Sequence, residues 1–197
     1  DLPPHNSLFV DTAPFLIYTG FWGFYAACNI PLISPATIAG QITGETWTAT
    51  TIYLTPTTLS AITFNFLMSL SGGMLAGYVV SRGDPFWTLS GGLAGVISVS
   101  AGADVYHPSL AYLLSATGGM LAVWAGTYIE KSLRVDDAVG AVAVHGVCGF
   151  YGVFLVGIFA GGFPTGVNNI PTSFGGQMMG ILAFFPLAFL PGYIVSW

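Results

Sequence analysis

The sequence predicts an all-α integral membrane protein of six transmembrane helices. Three observations predict it: charge is scarce, the few charges are widely spaced, and glycine is abundant inside the apolar stretches. Three of the 197 residues are Lys or Arg, eight are Asp or Glu, and 54% are hydrophobic. Soluble domains carry charge on about a quarter of their residues to match water at the surface. A chain at 6% charge is suited to lipid.

The charges divide the chain into uncharged stretches at Thr12–Gly44, Thr46–Ser81, Pro85–Ala103, Val105–Ile129 and Ala138–Trp197. A helix needs about 20 mostly apolar residues to cross the hydrocarbon core. Each of the first four stretches has room for one span. The last is 60 residues long and is cut by Gly161-Gly162-Phe163-Pro164 through Asn168-Asn169-Ile170-Pro171, so it holds two. The expected spans are 13–32, 55–81, 86–103, 109–131, 138–160 and 174–197. Pro186 and Pro191 should kink the last one.

Arg82 follows the second span, and Lys131 and Arg134 follow the fourth. If all six spans cross, these residues share one side, which the positive-inside rule makes cytoplasmic. Glu45 and Asp104 then lie outside, and both ends of the chain lie in the cytoplasm. Glycine doublets at Gly72-Gly73, Gly91-Gly92, Gly118-Gly119 and Gly175-Gly176 fall inside the spans. Pairs such as Gly73 with Gly77 and Gly91 with Gly95 let helix backbones approach closely.

Several functions are disfavoured. Three basic residues cannot form the stripe that holds nucleic acid. Cys28 and Cys148 lack metal-ligand spacing, so neither a metal nor a disulfide framework is expected. No nucleophile is paired with a base and no zinc-binding helix motif occurs, so the chain is not expected to be an enzyme or to carry a cofactor. The chain opens on Asp1, which points to processing or to a piece of something longer.

His145 is the informative residue, an ionisable side chain about a third of the way into the fifth expected span. Ala138, Ala141, Cys148, Gly149 and Gly152, all small, should share its helix face. Two roles stay open at this level. The imidazole could line a path for a small polar molecule, since it both donates and accepts hydrogen bonds. It could equally tie two helices together.

The residues around it resemble a known family. Leu133-Arg134-Val135-Asp136-Asp137, then Val144-His145-Gly146-Val147-Cys148-Gly149, then Gly157-Ile158-Phe159-Ala160 are similar to the signature of the Amt/Mep/Rh ammonium transporters. Pro4-His5-Asn6, the run Thr19-Gly20 to Trp22-Gly23-Phe24, Gly91-Gly92-Leu93-Ala94-Gly95 and Trp124 extend the likeness over most of the chain. The resemblance implies an eleven-span fold of two inverted repeats plus a final helix, assembled as a homotrimer with one pore per subunit. Residues 1–197 would be spans six to eleven, a partial transporter domain whose first half is absent.

By the same resemblance His145 is the second of two facing pore histidines, Phe24 the inner gate phenylalanine, and Ile17 and Trp124 further pore positions. Cys28 stands where the family often has a serine that helps hold incoming ammonium. Asp136 and Asp137 should cap the fifth helix, where carboxylates meet the positive end of the dipole. Tyr25 replaces an asparagine and Gly140 a third aspartate. The implied function is passage of ammonium or ammonia across a cell membrane. The alternative is an ammonium sensor coupled to a signalling module, and a cytoplasmic signalling protein is a possible regulator of either.

Overall fold

The computed structural model of the chain describes residues 6–29, 59–162, 164–165 and 170–196. They form six helical rods. The first is α1 (Ser7–Asn29), followed by α2 (Leu59–Ser81) and α3 (Pro85–Val99), which ends in a 3₁₀ turn over Ser100–Gly102. The fourth is α4 (Pro108–Tyr128), continued by π-helical turns over Ile129–Leu133. The fifth opens with π-helical turns over Val142–Val147 and continues as α5 (Cys148–Phe159). The sixth joins α6 (Phe174–Phe184), a π segment over Phe185–Phe189 and α7 (Leu190–Ser196). Between the last two rods, Pro164–Thr165 pairs antiparallel with Ile170–Pro171. Glu45 and the 30–32 end of the first expected span lie outside the described residues.

Four rods among the described residues are long and apolar enough to cross a membrane: Ser60–Ser81, Pro108–Leu133, Val142–Phe159 and Phe174–Ser196. The 15 residues of α3 rise about 23 Å at 1.5 Å each, and the 3₁₀ turn that follows adds about 6 Å, close to a bilayer core of about 30 Å. It is also the centre of the bundle, buried from Ser90 to Val99 and packed against α1, α2, α4 and α5. The first helix starts six residues earlier than expected. Asn6 Oδ1 accepts from the Leu8 N–H at 3.0 Å and caps it, and the helix runs through Asp11 and Pro14. Pro14 is the eighth residue of this helix and removes the N–H that would bond the Val10 carbonyl. Pro186 falls inside the π segment, which is how the last rod takes up the missing N–H.

The helix starts are built from local chemistry. Asp84 Oδ1 accepts from the Trp87 N–H at 2.9 Å with Pro85 in the first turn. His107 Nδ1 accepts from the Ser109 N–H at 3.1 Å ahead of Pro108. The short turn from α2 to α3 uses left-handed backbone at Arg82 and Gly83.

Glycines seam the centre. A Cβ on Gly91 would lie 2.7 Å from the Gly73 carbonyl oxygen and 3.0 Å from Gly77 Cα, and one on Gly95 would lie 2.8 Å from Gly73 Cα. A Cβ on Gly118 would meet Ser98, and one on Gly126 the Trp87 ring. These contacts run α3 antiparallel to both α2 and α4. The Arg82 turn and the segment carrying Lys131 and Arg134 therefore lie at one end of the bundle, and Asp104 lies at the other. Around the seam, Ile62, Phe66, Leu93, Val96, Val144 and Cys148 pack with Tyr18 and Tyr25 into the main core cluster.

Candidate functional site

Helix α1 is fastened to α3 by two tyrosines one heptad apart. The Tyr18 hydroxyl donates to the Leu89 carbonyl at 2.5 Å. The Tyr25 hydroxyl donates to the Val96 carbonyl at 3.0 Å and also pairs with Ser100 Oγ. Equal steps on both helices make α1 parallel to α3. Trp22 Nε1 adds a bond of 3.0 Å to Thr63 Oγ1 on α2.

On the other side of α3, the start of the fifth rod is set by Asp137. Its buried carboxylate accepts from the N–H groups of Val142 and Ala143 at 3.1 and 3.0 Å. Gly140, at φ +69°, makes the turn just before. A side chain is strained in that left-handed conformation, which suits the glycine that stands here. Asp136 is exposed beside it.

Between α1, the end of α3 and the fifth rod lies a groove of about 510 Å³. Phe21, Phe24 and Tyr25 line it from α1, and His145, Gly149 and Val153 from the fifth rod. Ile97, Ser100, Ala101 and Asp104 close its α3 side. The imidazole of His145 stacks on Phe21, with centroids 6.2 Å apart and planes 24° from parallel. Phe24 stays 59% exposed along the groove.

The small residues near His145 divide differently from the expectation. Cys148 is fully buried and its Sγ donates to the Gly118 carbonyl at 3.5 Å, while a Cβ on Gly152 would lie 2.8 Å from the Ser98 carbonyl oxygen. Both face α3 and α4, and only Gly149 remains beside the imidazole in the groove. The reason is the π-helical stretch Val142–Val147, whose wider turns shift the register from the regular helical one.

Two other predicted positions stand apart. Ile17 is on the exposed part of α1 and is not among the lining residues. Trp124 is 63% exposed on α4, stacked on Tyr128 with centroids 5.6 Å apart, and likewise does not line the groove. The Cys28 side chain lies outside the described residues.

Phe21, Ser100 and Asp104 are lining residues that motif reading passes over. Phe21 was reachable, since it precedes Phe24 by three on one helix face. Asp104 was not, because only the tertiary fold brings the end of α3 beside His145. Burial holds its carboxyl above the ordinary aspartate range, against a hydrogen bond with its own backbone that lowers it. Burial and that neighbouring charge both push the Tyr106 phenol up.

The family model described as Ammonium Transporter Family matches residues 1–197. The chain is 27% identical to "Ammonium transporter Amt1" of Methanocaldococcus jannaschii over 194 residues, covering 98% of this chain and 44% of that protein. It is 28% identical to an "Ammonium transporter" of Corynebacterium glutamicum, over 89% of this chain and 34% of that one. A solved structure titled "Sensor Amt Protein" superposes with a TM-score of 0.62 at 27% identity, covering 70% of this chain and 36% of the other. The chain thus spans less than half the length of these relatives.

Proposed function

The chain belongs to the Ammonium Transporter Family, and on that premise we propose that it supplies one wall of an ammonium-conducting pore. The observation that carries this is the groove itself, which joins Phe24 on α1 to His145 on the fifth rod. As the second inverted repeat plus a final helix, the chain would meet a first half across that groove, where such folds hold their substrate. In the full-length protein His145 would face a second histidine from that half, and Phe24 would gate the outer mouth. Ammonium would be recruited outside and lose its proton. Ammonia would then pass the imidazoles while the proton followed separately. Desolvation in an apolar pore disfavours the charged form, which selects against metal cations that cannot shed charge. The assembly would be a homotrimer in the cell membrane, with Arg82, Lys131, Arg134 and both ends of this segment cytoplasmic.

The test is His145→Asp in the full-length protein. A carboxylate there favours a bare cation over neutral ammonia, so the variant should lose ammonium selectivity and pass potassium. Growth on low ammonium, set beside potassium flux, reads both. Unchanged ammonium selectivity would make His145 structural and refute the pore.

An ammonium sensor is the second reading, favoured by the TM-score of 0.62 to a protein titled as a sensor. Cys28 and Gly140 add to it, because a sensor must bind ammonium but need not conduct it. In that case the partner is a cytoplasmic signalling protein. Ammonium uptake by the wild-type full-length chain separates the two.

A further inference from the structure

The groove contains one group that motif reading does not assign. Asp104 sits on the turn between the 3₁₀ end of α3 and α4, at the end of the bundle opposite Arg82, and its neighbours Ala103, Val105 and Tyr106 are all buried. This turn is held from three directions. Asn65, reaching from α2 and only 3% exposed, donates both amide hydrogens to it, to the Ala103 carbonyl at 2.9 Å and the Tyr106 carbonyl at 2.8 Å. The N–H groups of Val105 and Tyr106 both donate to the Gly102 carbonyl, at 3.0 and 2.9 Å. The Tyr106 ring lies against Gly102, where any Cβ would come within 2.8 Å of Cε1. A buried amide has thus committed both donors to fixing one short turn, and the member of that turn that lines the groove is a carboxylate.

The surroundings of that carboxylate select a ligand class. The rings of Phe24 and Tyr25 line the same groove, and aromatic faces attract cations and repel anions. Ser100 supplies a hydroxyl oxygen. Calcium takes six to eight oxygen ligands, usually with several carboxylates, and magnesium keeps a rigid octahedral shell. Asp104 is the one carboxylate among the lining residues, which fits a single positive charge.

We propose that Asp104 is an ammonium-binding carboxylate at the outer end of the groove, and that Asn65 is the positioning residue that holds it there. This rests on the ammonium reading above and adds to it the group that meets the cation before His145. Desolvation raises the cost of the carboxylate charge, and a bound monovalent cation lowers that cost further than its backbone hydrogen bond does alone.

The experiment uses the full-length protein and two readouts, titration of ammonium and methylammonium into the detergent-solubilised protein and methylammonium uptake into liposomes. Asp104→Asn should weaken binding about tenfold or more, as loss of one partner of a close charge pair does. It should raise KM by the same factor and leave the maximal rate within about twofold, the pattern of a lost binding contact rather than a lost chemical step. Asp104→Glu keeps the charge and should stay closer to wild type than Asp104→Asn. Asn65→Ala leaves the carboxylate present but loosely held, and should raise KM at an unchanged maximal rate. If Asp104→Asn does not fold, Asp104→Ser reads the same loss. Binding that depends on Asp104 in a protein that does not transport supports the proposal and refutes only conduction. Equal affinity and KM in wild type and Asp104→Asn overturn it and leave the His145 pore standing.

Discussion

Helices α2, α3 and α4 and the rod from Phe174 to Ser196 are written in the same alphabet, apolar residues interrupted by glycine doublets, yet they sit in opposite surroundings. Gly73 is faced by Gly91 and Gly95 from α3 and by Gly119 from α4, with a Cβ on Gly119 coming within 3.1 Å of Gly73 Cα. Gly175, Gly180 and Gly192 have nothing within 4 Å of where a Cβ would stand, and neither α6 nor α7 buries a residue. In lipid no hydrophobic force draws helices together, so close backbone approach has to supply the attraction. A glycine pair therefore marks a helix contact only when a second helix presents its own small residues at the same height. The seam meets that condition, and among the described residues the last rod does not.

The most damaging test of this difference is Gly73→Val. The new side chain would strike α3 backbone at Gly91 and Gly95 rather than a side chain able to turn away. Overpacking of this kind costs about 3 kcal/mol or more when backbone must move. The full-length variant should show a large drop in thermal unfolding temperature in detergent, or fail to yield folded protein. A variant as stable as wild type would mean that the three helices can separate without loss, and the seam would not organise the bundle.

A smaller effect separates the two regions by pH. The turn at the end of the seam opposite Arg82 half-buries Asp104, whose carboxyl is held above its ordinary value near 3.8, with Tyr106 beside it. The sign follows from proton binding. A raised folded pKa means that the folded state holds the proton more tightly than the unfolded state. The favourable contribution is then complete below 3.8 and is lost as pH rises from there through the folded pKa. The slope for one proton is at most about 1.4 kcal/mol per pH unit. Thermal stability of the full-length protein followed upward from pH 4 should fall less steeply in Asp104→Asn than in wild type. Identical profiles would mean that Asp104 titrates as it does in water. The rod from Phe174 to Ser196 carries no Asp, Glu, Lys, Arg or His and adds no such slope.

The seam was legible in the sequence because its determinants are local and repeated. Glycines spaced by four, Gly73 with Gly77 and Gly91 with Gly95, mark one helix face, and uncharged stretches delimit the rods, so the expected 109–131 meets the observed Pro108–Leu133 closely. Failures came where one local choice has two outcomes. Asp11 delimits the first uncharged stretch, but a charge in the second turn of a helix capped by Asn6 can sit inside it. The residues Val142–Val147 have the same composition in α and π turns, so the faces of Cys148 and Gly152 were assigned on the wrong period. The groove was half legible. Phe24 and His145 stand in motifs, whereas the hold of Tyr25 on Ser100, and of Asn65 on the turn beside Asp104, spans 75 and about 40 residues of sequence. No periodicity links such positions.

The finest test is Gly180→Ala, at the unpacked end of the comparison. Alanine is the better helix former by about 1 kcal/mol in water, where glycine exposes backbone and loses more conformational freedom on folding. In a membrane the helix persists with either residue, since every amide must find its partner within it. That leaves contact as the main term, and Gly180 has nothing within 4 Å for a methyl group to strike. Gly180→Ala should therefore unfold within about 0.5 kcal/mol of wild type, the range of substitutions that touch nothing. The informative failure is a clear loss of stability in the full-length protein as it assembles, with no loss in its separated subunits. The face carrying Gly180 would then be packed against a neighbouring subunit, and the last rod would be a second seam closed only on assembly.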